Sequence, residues 1–158
     1  MNYLKLYGFS LSFIFCCTIS FAQDRVVLKE PDHNKPSLFT SFPDKIPVDI
    51  NELKNLFSNT AAKGKEVNLQ FIDKKLPGFN GKIISATSKY NNTLRSVVVS
   101  STRFNGATLT FSLSTTTDGT VRYSGRIVSF QHADLFVLEN QNGQYFLIKK
   151  KFHELINE

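Results

Sequence analysis

The sequence predicts a mainly β protein: a small single-domain barrel or sandwich of about seven antiparallel strands, covered by one short N-terminal amphipathic helix. Three observations support this fold class. Apolar and polar residues alternate with a period of two in several segments after residue 65. Glycine-containing turns separate those segments. A helical period of 3.6 is present near residues 50–57.

The first 22 residues have the pattern of a secretory signal peptide. Lys5 is their only charged residue, residues 6–19 form a short apolar run, and small residues precede a cleavage site after Ala22. A membrane-anchoring helix is the alternative, but an apolar run of about 14 residues falls short of the roughly 20 that span a bilayer. We therefore expect an exported protein, periplasmic or extracellular, without a transmembrane segment after cleavage.

Both cysteines, Cys16 and Cys17, lie within the predicted signal. The mature chain would therefore have no disulfide framework, no thiol nucleophile and no thiolate metal ligand. Removing residues 1–22 from the 158 leaves 136, which suits one domain. The formal net charge of +6 falls to +5 when Lys5 is removed, and a basic surface attracts polyanions.

Residues 23–47 are predicted to form an extended, exposed lead-in, and residues 48–158 the β-rich globular domain. Four prolines disfavour a helix in the lead-in: Pro31, Pro36, Pro43 and Pro47. Phe39, Phe42 and Ile46 indicate that its later part lies along the core surface.

The helix is predicted to begin after Asp49, whose carboxylate can accept hydrogen bonds from free N–H groups of the first turn. Glu52 lies three residues further on and suits the second half of a capping box. The apolar side chains on one face of this helix are Ile50, Leu53, Leu56 and Phe57.

The strand pattern is clearest over residues 107–114. Leu109, Phe111 and Leu113 fall on one side of an extended chain, and hydroxyl residues fall on the other. Residues 67–71 show the same alternation for an earlier strand. Tight turns are predicted at Pro77-Gly78, Asp118-Gly119 and Asn142-Gly143.

Two similar stretches, GKIIS from Gly81 and GRIVS from Gly125, each precede a loop, an apolar strand, an Asn-Gly turn and a further strand. This shared order suggests two related three-stranded meanders. We interpret the two glycines as positions where the sheet bends or another backbone approaches closely. Ile83 and Ile127 are then expected in the core.

The leading functional hypothesis is an exported, non-catalytic binding or interaction domain. Its expected contact surface is formed by the hydroxyl-rich faces of residues 97–102 and 108–117, which suit either plain solvation or contact with a glycan or a protein edge. One alternative is an inhibitor or chaperone-like partner of a secreted enzyme, in which residues 23–47 add to a partner's sheet or lie in its cleft.

A second alternative is a polyanion-binding module that recognises an anionic glycan or nucleic acid, with nucleic acid the less expected partner. The candidate contacts are Lys82, Arg122, Arg126, Lys149, Lys150 and Lys151.

No catalytic or metal-binding motif is present. The sequence contains no H-E-x-x-H, no G-x-S-x-G and no phosphate-binding glycine loop. His132 and Asp134 are the one local pairing suited to a hydrolase, and we interpret them as part of a polar turn between strands. We therefore expect no enzymatic activity, no metal and no cofactor.

Overall fold

The computed structural model describes residues 35–57 and 62–156. The predicted signal peptide and the first part of the predicted lead-in lie outside these residues. The mainly β fold class is confirmed: the described chain forms one antiparallel sheet of eight strands, curled into a half-barrel, with one short helix.

In chain order the strands are β1 (Lys45–Val48), β2 (Glu66–Leu69), β3 (Phe79–Lys89), β4 (Leu94–Ser101), β5 (Thr108–Thr115), β6 (Val121–Val128), β7 (Asp134–Gln141) and β8 (Gln144–Lys151). Helix α1 (Ile50–Lys54) follows β1 and continues as a 3₁₀ turn over Asn55–Phe57. A second 3₁₀ helix, Phe152–Ile156, follows β8.

The sheet order is β1-β8-β7-β6-β5-β4-β3-β2, so every strand from β2 to β8 pairs with the next one along the chain. Short hairpin turns allow consecutive strands to pair in this order. Between β7 and β8, Asn142 and Gly143 have φ values of 54° and 85°, as a two-residue hairpin turn requires. The structure has one strand more than the seven predicted, and the additional strand is β1. It pairs with β8, with Lys45 opposite Ile148 and Val48 opposite Tyr145.

The core occupies the concave side of the sheet and is rich in phenylalanine. Phe79, Phe111 and Phe136 come from strands, whereas Phe39 comes from the segment before β1; all four are at most 1% exposed. Phe39 lies 5.0 Å from Phe136 between ring centroids. Because Phe42 and Ile46 are also buried, this part of the chain belongs to the folded body.

The space beneath Leu53 of α1 is closely filled. The cavity between α1 and the sheet has a volume of about 20 Å³, which is space for about one water molecule. Leu53 lines this cavity, and Leu56 and Phe57 of the same helical segment are also buried.

The predicted helix start is confirmed: the Asp49 carboxylate accepts a hydrogen bond from the Asn51 N–H group at 2.9 Å. We expect Asp49→Ala to lower the free energy of unfolding by about 1 kcal/mol, because it removes the acceptor for this N–H group. Urea denaturation followed by circular dichroism measures the change. Asp49→Asn keeps a capping oxygen and should remain close to wild type; an equal loss in both variants would contradict the capping role.

Gly81 lies on β3, the first strand of the meander β3–β5, and Gly125 lies on β6, the first strand of the meander β6–β8. Ile83 and Ile127, two residues later, are both buried as predicted. A close approach of backbone is confirmed most clearly at Gly81, where an added Cβ would lie 2.3 Å from the main-chain oxygen of Ser100 on β4. At Gly125 the nearest backbone belongs to the preceding strand, β5, so the relation between the two meanders stays a prediction.

Candidate functional site

The candidate site is the convex side of strands β3 to β6, here called the outer face. It is defined by the side chains that alternate with buried ones: Leu109 and Phe111 point into the core, so Thr108 and Thr110 point outward. Because paired residues on neighbouring strands point to the same side of the sheet, each outward residue belongs to a row that crosses the strands. Thr108 pairs with Ser100 on β4 and with Val128 on β6.

Hydroxyl groups dominate the outer face. Ser112 pairs with Ser96 and with Ser124, and its hydroxyl donates to Ser96 Oγ at 2.9 Å. The outward hydroxyl residues are Ser85, Thr87, Ser96, Ser100, Thr108, Thr110, Ser112, Ser114 and Ser124. Together they form a curved surface on which hydrogen-bonding groups predominate.

The four strands of the outer face contain cations but no aspartate or glutamate. Arg95 turns to the concave side, where its guanidinium donates to the Phe57 carbonyl oxygen and lies 5.1 Å from the Phe57 ring centroid. Register places Arg126 beside Thr110 and Arg122 beside Ser114. The outward cations are Lys82, Lys89, Arg122 and Arg126.

The two arginines have no carboxylate partner within the described residues, whereas Lys82 Nζ lies 3.5 Å from Glu66 Oε1. Both side chains of that ion pair are largely exposed, so the pair contributes little stability.

The carboxylate of Asp118, in the turn between β5 and β6, accepts hydrogen bonds from residues of the same turn. Hydrogen bonds from the Thr116 hydroxyl and the Thr120 N–H lower the pKa of Asp118.

The three consecutive lysines do not form one patch, because alternate residues of β8 point to opposite sides. Lys149 is half-buried and binds the segment before β1, with its Nζ 3.4 Å from Asp44 Oδ1 and a hydrogen bond to the Phe42 carbonyl. Lys150 points outward and lies 3.3 Å from Glu139 Oε1. Lys151 pairs with Asp134 in register and is exposed.

The structure thus joins two surfaces that the sequence treats separately: the hydroxyl-rich strand faces and Arg122 with Arg126. It adds Ser85, Thr87 and Lys89 of β3, which a simple alternation from Ile83 would place inward. The pairing of β3 with β4 shifts by one residue between Ile83 and Ser85, because Ile84 forms a bulge. The bulge reverses the side on which the later residues of β3 lie.

His132 and Asp134 do not act on each other. The buried Asp134 carboxylate accepts main-chain hydrogen bonds from Leu38 at 2.6 Å and Phe39 at 2.8 Å. His132 Nδ1 instead lies 2.8 Å from Ser129 Oγ, and Ser129 is fully buried. This arrangement agrees with a polar connection between β6 and β7.

Within residues 35–57 and 62–156, no group of three or more histidine, cysteine or acidic side chains is placed to hold a metal ion. No helix in the same residues has the length and apolar character needed to cross a membrane. Comparison with protein-family models, with characterised proteins and with solved structures finds no match for this chain.

Proposed function

We propose that this protein is an exported, non-catalytic binding domain whose outer face contacts an anionic glycan. The observation that carries the proposal is that nine hydroxyl side chains lie on the outer face together with two arginines, for which the described residues provide no carboxylate partner. Each residue type is ordinary on a β-sheet surface. Their combination over four strands that contain no aspartate or glutamate favours a negatively charged, hydroxyl-bearing ligand.

The chemistry of the two groups is complementary. Serine and threonine hydroxyls both donate and accept, so they can exchange hydrogen bonds with sugar hydroxyls. The planar arginine guanidinium binds the oxygens of carboxylate or sulfate groups with two parallel hydrogen bonds. Arg122 and Arg126 are four residues apart on β6, a separation of about 13 Å in a strand. They would therefore contact two successive anionic groups of an extended polymer.

The alternatives have weaker support. An inhibitor-like segment over residues 23–47 would have to release Phe39, Phe42 and Ile46, which are buried in the core of this chain. Single-stranded nucleic acid would need exposed aromatic rings beside the arginines. Tyr123, the aromatic residue next to Arg122, instead stacks inward on Phe111, with ring centroids 5.8 Å apart.

We expect the double variant Arg122→Gln/Arg126→Gln to bind immobilised heparin, a sulfated glycan, roughly 10-fold more weakly, because each exposed arginine contact contributes about 0.5–1 kcal/mol. Affinity is measured by surface plasmon resonance at about 0.15 M salt, where long-range attraction is already screened. Glutamine keeps most of the side-chain length, so folding should be unaffected.

The matched control is Lys74→Gln/Lys75→Gln, which removes the same formal charge from exposed positions in the loop after β2. It should bind heparin almost as tightly as wild type. Equal weakening in both double variants would mean that heparin responds only to net charge, and the outer face would lose its support as a specific site.

A further inference from the structure

A groove of about 480 Å³ opens next to the outer face, where the short edge strand β2 pairs with β3. Register sets Glu66 opposite Lys82 and Asn68 opposite Asn80. Thr102 follows β4 and closes the end of the groove, where its N–H donates to the Asn80 carbonyl oxygen at 2.9 Å. Its volume is in the range of small-molecule sites in proteins.

Most side chains around this groove carry hydrogen-bonding groups. Two carboxamides, one hydroxyl, one carboxylate and one ammonium line it, together with Val67 and the backbone of Gly81. A lining that is partly polar and partly apolar suits a sugar, which presents both hydroxyl groups and C–H groups. Glu66 and Lys82 neutralise each other as an ion pair, which favours a ligand without net charge.

Asn80 is the residue that distinguishes this groove from ordinary polar surface. Its side-chain oxygen Oδ1 is buried and accepts no hydrogen bond within the described part of the chain. Buried acceptors in folded proteins almost always have a donor, because leaving one unpaired lowers stability. Because Asn80 lines the groove, a ligand O–H or N–H group that reaches its carboxamide would supply the missing hydrogen bond.

We infer that the groove binds one neutral sugar residue. Asn80 would accept a hydrogen bond from a sugar hydroxyl or amide. Thr102 would donate through its hydroxyl. Asn68 would donate through its amide, since its oxygen already accepts from Gln70. Lys82 borders both the groove and the outer face, so one glycan chain can contact both surfaces. The inference that this sugar is part of an anionic glycan rests on the proposed function. The groove would then recognise one residue of the polymer that the arginines hold.

The test is a titration of ¹⁵N-labelled protein with N-acetylglucosamine, a neutral sugar with hydroxyl and amide donors, followed by NMR. We expect saturable shifts of the amide signals of residues 66–68, 80–82 and 102 in the millimolar range. Asn80→Leu should weaken binding about 10-fold and raise the melting temperature by a few degrees, because a buried unpaired oxygen is removed. A gain of stability with a loss of binding is not the behaviour of a structural asparagine.

Thr102→Val tests the same groove without changing the side-chain volume and should weaken sugar binding roughly threefold. Its matched control is Thr40→Val, which removes an exposed hydroxyl outside both the groove and the outer face and should leave the sugar titration unchanged. The heparin assay is separate. Arg122→Gln/Arg126→Gln should keep wild-type sugar binding, and Asn80→Leu should keep wild-type heparin binding.

These outcomes separate the two proposals. Saturable shifts at the groove that Asn80→Leu weakens support the sugar site even where heparin binding fails; only the outer-face proposal then falls. Absence of saturable shifts in the wild-type protein overturns the sugar site. Unchanged sugar affinity in Asn80→Leu, accompanied by a lower melting temperature, overturns it as well, because Asn80 would then be structural.

Discussion

Replacing Asp134 with alanine is expected to lower the free energy of unfolding by about 4 kcal/mol. The carboxylate is 5% exposed and accepts hydrogen bonds from the N–H groups of Leu38 and Phe39. Without it, two main-chain donors lose their acceptor, at about 1–3 kcal/mol each. The same bonds hold the segment that places the Phe39 ring against Phe136, so core packing weakens as well.

Urea denaturation of Asp134→Ala, followed by circular dichroism, measures this loss. Asp134→Asn keeps one acceptor oxygen and should lose about half as much. Asp73→Ala is the control, because Asp73 also accepts a main-chain N–H bond, from Lys75 at 2.9 Å, but in an exposed turn. Similar losses in Asp134→Ala and Asp73→Ala would show that the buried carboxylate does not hold the segment before β1.

Gly81→Ala is expected to destabilise the protein by about 3 kcal/mol, whereas Gly125→Ala should cost about 1 kcal/mol or less. An added Cβ at Gly81 would lie 2.3 Å from Ser100 O and 2.7 Å from Val99 Cγ1, so the backbones of β3 and β4 would have to separate. At Gly125 the nearest atom, Thr110 O, is 3.1 Å away. The residue also borders the small internal cavity, which can accept part of a methyl group.

Melting temperatures and urea midpoints of the two alanine variants provide a direct comparison, since both changes add the same methyl group to the first strand of a meander. Equal losses would mean that the distance to the neighbouring strand does not decide the cost. A large loss at Gly81 alone would identify this glycine as a requirement of strand packing, independent of the cation beside it.

The position of the proposed binding surfaces depends on which residues fill the concave side of the sheet. Helix α1, its 3₁₀ extension and the segment around Phe39 fill that side, and they leave a cavity of about 20 Å³. That cavity is too small for a ligand. Both proposals place their ligands elsewhere, on the opposite side of the sheet and at its β2 edge.

Local sequence determined several features of this protein. The alternation around Leu109 and Phe111 correctly separated the core side from the hydroxyl side, because side chains of an extended chain point to opposite faces. Asp49 marked the helix start and Asn142-Gly143 marked a hairpin, because capping and turn geometry depend on adjacent residues. These properties can be predicted without knowledge of the partner strands.

Only the tertiary structure decided which residues share a surface. β1 is four residues long and contains Pro47, so it has little recognisable strand pattern and exists through its pairing with β8. The bulge at Ile84 reversed the orientation of the later part of β3. Register between strands brought Arg126 beside Thr110 and Asn68 beside Asn80, although these residues are distant in sequence. Such neighbours depend on long-range pairing and packing, whereas alternation and turns depend on the conformation of a few consecutive residues.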